Sequence, residues 1–168
     1  MSRSAHNTAL SRSAARLACV QALYQMEISG GDVTDVVEEF TSFRFEENSD
    51  DKLETDVKYF SKITHGVISS QVQVDNLIES ALATGWTLKR LDSTLRALLR
   101  SATYELLEQR DVPARVVINE YVDIAHAFFD AVEPAFVNGV LDRLGHEIRA
   151  EELSEKQGSG DDISARQS

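Results

Sequence analysis

Cysteine is nearly absent from this chain of 168 residues, which contains one, Cys19. A disulfide framework within the chain is therefore excluded, because a lone thiol has no partner. Proline and glycine are also scarce, with 2 and 8 residues. Because β-sandwiches and barrels need many tight turns, this scarcity disfavours them and favours an all-α fold.

Long apolar runs are missing as well. No segment approaches the roughly 20 apolar residues that a bilayer-spanning helix needs. The N-terminal sequence MSRSAHNTALSRS also lacks the apolar core of a signal peptide. We therefore expect a cytoplasmic protein without membrane contact, whose length suits one compact domain or two small ones.

Positive charge is in short supply, since 17 Lys and Arg face 28 Asp and Glu and give a formal charge of −11. This total argues against a nucleic-acid-binding face that is basic throughout. The charge is uneven, however: acids are concentrated in residues 32–56 and in the tail, whereas Arg3, Arg12 and Arg16 lie near the N-terminus. A polyanion could approach that end, and the acidic segment suits a basic partner or a solvated surface.

Apolar residues recur at spacings of three and four and predict six helices. The first carries the stripe Leu17, Val20, Tyr24 and Ile28 and ends at Gly30-Gly31. Asp32 is expected to cap the second, and one long helix is expected over 55–83, with Gly66 and Ser69-Ser70 as bend points. Asp92 is expected to cap the fourth helix, the segment 111–113 to begin the fifth, and Pro134 to open the sixth.

The fifth helix should bury a stripe formed by Val117, Tyr121, Ile124 and Phe128.

Six helices with short breaks predict two small bundles in one compact unit, over about 11–83 and 84–149. We expect residues 1–10 to form a flexible arm and residues 150–168 a disordered acidic tail, because neither can bury enough apolar surface to become ordered. Trp86, between the two halves, is expected to act as an apolar plug.

The sequence offers little catalytic chemistry. Its four histidines lie far apart without metal-ligand spacing, and no glycine-rich phosphate loop occurs. Cys19 is expected to be a buried apolar residue. We therefore expect no enzyme, no metal and no cofactor.

Two groups of residues are candidates for binding. Arg12 and Arg16 are four apart on one helix face and could hold phosphates, or they could be solvated or form local ion pairs. Phe136 could stack on an unpaired base or belong to the core, and Asn138 could face a ligand or satisfy buried backbone groups. For Arg96 and Arg100 we favour structural ion pairs, with Glu105 and Glu120 as available partners.

Four strings resemble, in order and spacing, the NusB family of bacterial transcription antitermination factors. They are ARLACVQALYQME (15–27), LRALLRSATYELL (95–107), DVPARVVINEYVDIAHAF (111–128) and AFVNGVLDRL (135–144). The resemblance covers about residues 11–149. It implies an all-helical fold of two subdomains.

The resemblance also implies a function. The family binds the boxA element of ribosomal RNA leader transcripts together with NusE, a 30S ribosomal protein, and helps RNA polymerase in its elongation complex to pass terminators. An arginine-rich motif that contacts RNA corresponds here to Arg12 and Arg16, a basic residue after the VP pair to Arg115, and the aromatic of FVNG to Phe136. Asn138 of the same string completes the predicted RNA-binding residues. The alternative is a helical protein–protein module, such as a homodimer using the first helix, with little RNA binding of its own.

Overall fold

The structure is a computed structural model that describes residues 3–44 and 56–153. Its helices are α1 Arg3–Ser29, α2 Val33–Glu39, α3 Val57–Ser69, α4 Gln71–Ala81, α5 Ser93–Glu108, α6 Ala114–Phe128 and α7 Val132–Ile148. A π-helical turn Phe40–Arg44 follows α2, and a 3₁₀ turn Leu88–Arg90 precedes α5. No strand occurs in these two ranges, which confirms the predicted all-α class.

Local signals define most helix ends as predicted. Gly30 ends α1 in a left-handed conformation, with φ at 74°, and its N–H donates to the carbonyl of Met26 at 2.8 Å. Asp32 and Asp92 accept from the N–H groups of Thr34 and Thr94 at 2.8 and 2.9 Å. These carboxylates satisfy amide groups that have no partner within the helix.

Parts of both terminal segments are helical where the structure describes them. α1 begins at Arg3, so residues 3–10 of the expected flexible arm are helical. Once a helix exists, each added residue gains a hydrogen bond without a new nucleation cost, which explains this extension. At the other end, residues 150–153 form a helical turn whose Leu153 is buried. The remaining tail, 154–168, lies outside the described residues.

The single helix predicted over 55–83 is wrong, because α3 and α4 are separate helices that meet at Ser70. Ser70 has φ −109° and ψ 17°, outside the helical region. The neighbouring Ser69 hydroxyl donates to the carbonyl of Gly66 at 3.1 Å. Serine hydroxyls compete in this way for backbone groups and favour helix interruption. The break therefore falls at the serine pair identified as a bend point.

A single buried apolar cluster runs through all seven helices, and α5 lies at its centre. α5 packs against α1, α3, α4, α6 and α7, and it buries the apolar residues Leu95, Leu98, Ala102 and Leu106. The cluster contains side chains from both predicted halves. The division into two bundles stays a prediction.

Three apolar residues of the predicted stripes are exposed. Tyr24 and Ile28 on α1 are 42% and 64% exposed, and Phe128 at the end of α6 is 44% exposed. These residues lie near the C-terminal ends of α1 and α6, where no neighbouring helix among the described residues covers them. Trp86 is 52% exposed beneath the guanidinium of Arg90, 5.7 Å from the ring centre, so the predicted apolar plug is wrong.

Candidate nucleic-acid interface

Arg12 lies at the surface where α1 meets the start of α3. Its guanidinium carbon is 4.7 Å from the centre of the Tyr59 ring, a cation–π contact. Its Nε lies 3.9 Å from Oδ2 of Asp56, and 34% of its side chain is exposed. We call Arg12, Asp56 and Tyr59 the Arg12 surface. It presents a cation, oriented by an aromatic ring, to solvent.

Arg16, one turn further along α1, faces the interior instead. It is 2% exposed, and its Nε and Nη2 donate to Oε1 of Glu105 at 2.9 and 2.6 Å. The Glu105 carboxylate is fully buried. Burial alone would lower the pKa of Arg16, but the hydrogen bonds and charge of Glu105 outweigh it and raise the pKa above its usual value. The predicted pair of phosphate-binding arginines is therefore revised, because only 3% of the Arg16 side chain is exposed and its guanidinium is already paired with Glu105.

Glu105 is the centre of a buried polar network that the sequence did not reveal. The hydroxyl of Tyr59 donates to Oε1 of Glu105, and that of Tyr121 donates to Oε2 at 2.8 Å. Burial and the adjacent Glu105 charge raise the pKa of both tyrosines, so both hydroxyls keep their protons and remain donors. The network joins α1, α3, α5 and α6 and fixes the ring of Tyr59 under Arg12.

Sequence spacing assigned Glu105 to the wrong arginines. Arg96 and Arg100 do form ion pairs, as predicted, but their partners are Glu27 and Asp75. Arg100 Nε donates to Oδ1 of Asp75 at 2.8 Å. These pairs tie α5 to the end of α1 and to α4.

The other predicted RNA-binding residues lie on α6 and α7. Arg115 and Asn138 are exposed, whereas Phe136 is partly buried and packs against the core. The hydroxyl of Ser13 donates to Glu120 at 2.8 Å and places α6 beside the N-terminal half of α1. Because α6 and α7 pack together, the candidates lie on three neighbouring helices.

The C-terminal half of α1 carries a second, different surface. Tyr24, Ile28 and Phe128, with Val20 and Thr94, line a groove of about 450 Å³ that we call the apolar groove. Three of its apolar side chains are at least two-fifths exposed. At 1.5 Å per residue, Tyr24 lies about 18 Å along α1 from Arg12. α1 therefore presents charge near one end and apolar surface near the other.

Over residues 3–44 and 56–153, no group of three or more His, Cys, Asp or Glu side chains is arranged to hold a metal ion. Within the same ranges, no helix has the length and apolar character needed to cross a bilayer.

Comparison with known proteins identifies relatives across most of the chain. The model of the NusB family matches residues 13–146. The transcription antitermination protein NusB of Rhizobium rhizogenes is 51% identical over 146 residues, which cover 86% of this chain and 91% of the relative. The protein of the same name from Nitrobacter hamburgensis is 49% identical over 145 residues, covering 85% and 91% of the two chains.

Solved structures agree with these relatives. NusB of T. maritima matches with a TM-score of 0.72 and 31% identity, covering 85% of this chain and 96% of that chain. A structure of the antitermination factors NusB and NusE in complex with dsRNA matches with a TM-score of 0.69 and 25% identity, covering 82% and 97%. From the family model and these relatives together, the chain belongs to the NusB family of transcription antitermination proteins.

Proposed function

We propose that this protein is an RNA-binding adaptor of the transcription elongation complex. It binds boxA-type RNA of ribosomal RNA leader transcripts together with a NusE-type ribosomal protein and promotes read-through by RNA polymerase in the cytoplasm. Family membership makes it a non-enzymatic antitermination protein. The observation that carries the RNA-binding assignment is the partly exposed Arg12 side chain, whose guanidinium is held over Tyr59 at the α1–α3 junction.

In this proposal Arg12 contacts a phosphate, and Arg115 on the adjoining α6 contacts another. Arginine suits this role because its planar guanidinium can donate two parallel hydrogen bonds to one phosphate. Phe136 presents part of its ring to an unpaired base, and Asn138, also on α7, provides a polar contact. Arg16 acts indirectly, because it supports Arg12 through Glu105 and Tyr59.

The partner protein is assigned to the apolar groove. The exposed apolar patch on the far half of α1 is the kind of surface that a protein partner covers. A related structure contains NusB with both NusE and dsRNA. This supports the proposal that the present chain binds RNA and a protein partner at the same time. The two surfaces lie about 18 Å apart along α1, so a protein on the groove does not have to cover the Arg12 surface.

A gel-shift experiment tests the proposed function. Labelled single-stranded boxA-type RNA, a duplex of the same sequence and an unrelated single strand are each titrated with the protein, with and without the NusE-type protein. We expect the boxA-type RNA to shift and the addition of NusE to tighten its binding. If none of the RNAs shifts under either condition, RNA binding is refuted and the protein–protein module becomes the better assignment.

The groove has its own test. Ile28→Glu places a charge on the apolar groove, and Val72→Glu, at a position 79% exposed on α4, is the matched control. We expect Ile28→Glu to lose NusE binding in pull-downs while retaining RNA binding, and the control to retain both. Ultracentrifugation of the free protein tests the homodimer alternative. A dimer that Ile28→Glu dissociates, without any effect on NusE binding, would assign the groove to a second copy.

A further inference from the structure

Asp56 uses its two carboxylate oxygens for different contacts. Oδ1 accepts from the backbone N–H of Tyr59 at 3.0 Å and caps α3. Oδ2 faces Arg12, 3.9 Å from its Nε. The backbone N–H of Asp56 also donates to the carbonyl of Ser11 at 3.1 Å. These contacts hold a negative charge beside the cation that we assign to RNA.

The ion pair between Arg12 and Asp56 is incomplete. At 3.9 Å, the separation of Nε and Oδ2 is too long for a hydrogen bond. Nε is buried and has no hydrogen-bond partner among the described residues. The two side chains are also 34% and 29% exposed, so water reaches both. Pairs of this kind are weak and are readily exchanged for another anion.

We propose that Asp56 is the internal counter-ion of Arg12 and limits how tightly this surface binds RNA. This inference rests on the proposed function. In the free protein the carboxylate partly neutralises Arg12, and a phosphate that approaches must compete with it. A phosphate offers short, charge-assisted hydrogen bonds that Asp56 does not make. Replacing Asp56 by an RNA phosphate as the partner of Arg12 is therefore favourable. The gain in binding free energy is smaller than it would be if Arg12 had no carboxylate beside it.

The test uses Asp56→Asn, because asparagine keeps an oxygen that can cap α3 but removes the charge. The matched control is Asp32→Asn, which makes the same change at the cap of α2. Asp32 follows the far end of α1, about 25 Å from Arg12 along the helix. That separation exceeds the Debye length of about 10 Å at 0.1 M salt. Both variants are also made in an Arg12→Ala background, and thermal unfolding followed by circular dichroism checks that each folds.

Affinity for a labelled single-stranded boxA-type RNA is measured at several salt concentrations with the full chain. We expect Asp56→Asn to bind about two- to fivefold more tightly than Asp32→Asn at 0.1 M salt. Its affinity should also fall more steeply with salt, because Arg12 then releases more counter-ions from the RNA. The gain should disappear when Arg12 is alanine.

Two results would overturn the proposal. One is an Asp56→Asn affinity no greater than that of Asp32→Asn. The other is a gain that persists in the Arg12→Ala background, since the carboxylate would then act on RNA through something other than Arg12. Failure of the proposed function is distinguishable, because the wild-type protein would then bind no RNA at any salt concentration, and both proposals would fall.

Discussion

Glu105 determines what α1 can present to solvent. Its carboxylate accepts from Arg16, Tyr59 and Tyr121 and has no exposed surface. A buried arginine without its carboxylate is strongly destabilising, because a charge is then left unpaired in the interior. The same carboxylate fixes the ring on which Arg12 lies. Stability and ligand presentation therefore depend on one residue.

We expect Glu105→Ala to lower the free energy of unfolding by about 3–5 kcal/mol, the range for breaking a buried pair by removing one partner. Urea denaturation at neutral pH measures the change. Glu108→Ala, an exposed position on the same helix, is the control and should differ little from wild type. A Glu105→Ala protein as stable as that control would mean that Arg16 finds another anion.

Cys19 is fully buried, and burial raises the pKa of its thiol to about 11. A raised pKa keeps the thiol protonated at pH 8, and the thiolate is the reactive form. We therefore expect the native protein to react with a thiol reagent at pH 8 far more slowly than the denatured chain does. In the denatured chain, one thiol per molecule should react. Rapid reaction of the native protein would contradict the burial.

At the scale of helices, Gly66 controls how closely α3 approaches α5. A Cβ built at Gly66 would lie 2.0 Å from Cζ of Tyr104, whereas one at Gly139 on α7 meets nothing within 4 Å. Glycine here serves packing, and the interruption of the helix lies at Ser70, four residues further on. The sequence pattern does not show whether a glycine serves close helix packing or interrupts the helix, because in both cases a glycine stands within a run of periodically spaced apolar residues.

Alanine at these two glycines should act in opposite directions. Gly66→Ala is expected to destabilise by about 1–3 kcal/mol through overpacking against Tyr104. Gly139→Ala is expected to stabilise by about 0.5–1 kcal/mol, because alanine loses less backbone entropy in a helix. Thermal or urea unfolding of the two variants provides the measurement. A tolerated Gly66→Ala would show that the Tyr104 ring can move aside at little cost.

Local signals made the helix ends predictable, and long-range packing explains what was missed. Asp32, Asp92 and Gly30 act on groups within four residues, so their roles follow from the adjacent sequence. The burial of Arg16 depends instead on Glu105, 89 residues away. The exposure of Tyr24, Ile28 and Phe128 likewise depends on where neighbouring helices end. Periodicity shows which face of a helix is apolar but not what covers it.

For the candidate site, spacing placed Arg12 and Arg16 on one helical face, and the structure separates them by burial. Helix position singled out Phe136 and Asn138, and the resemblance to the family added Arg115 and supported Phe136. The roles of all three residues in RNA binding stay predictions. Asp56 and Tyr59 were not foreseen. Their sequence signal is an aspartate three residues before an aromatic at the start of an amphipathic helix. This pattern indicates that the aspartate caps the helix, but it does not indicate that Arg12 on α1 lies beside it.

At the scale of the whole molecule, one apolar cluster spans both predicted halves, with α5 between them. Ile63 on α3 and Leu141 on α7 are both fully buried in it. Side chains that share a core are expected to unfold together, since neither half keeps its own apolar interior when the other is lost. Two independent bundles would instead unfold in separate steps.

We therefore expect Ile63→Ala and Leu141→Ala each to lower stability by about 2–5 kcal/mol and to shift the same single transition. Urea unfolding followed by both circular dichroism and Trp86 fluorescence distinguishes the cases. If each variant shifted a different one of two transitions, the halves 11–83 and 84–149 would be independent folding units.

In the proposed function, this acidic protein binds RNA through a local, charged contact at Arg12. The most direct measurement is the salt dependence of affinity for single-stranded boxA-type RNA, by fluorescence anisotropy, for wild type and Arg12→Ala. Lys89→Ala, an exposed lysine near the start of α5, controls for the loss of one positive charge. We expect Arg12→Ala to bind more weakly, with a slope of log affinity against log salt reduced by about 0.7, the value for one phosphate contact on a single strand. An Arg12→Ala protein with the affinity and slope of the Lys89→Ala control would show that Arg12 does not contact the RNA.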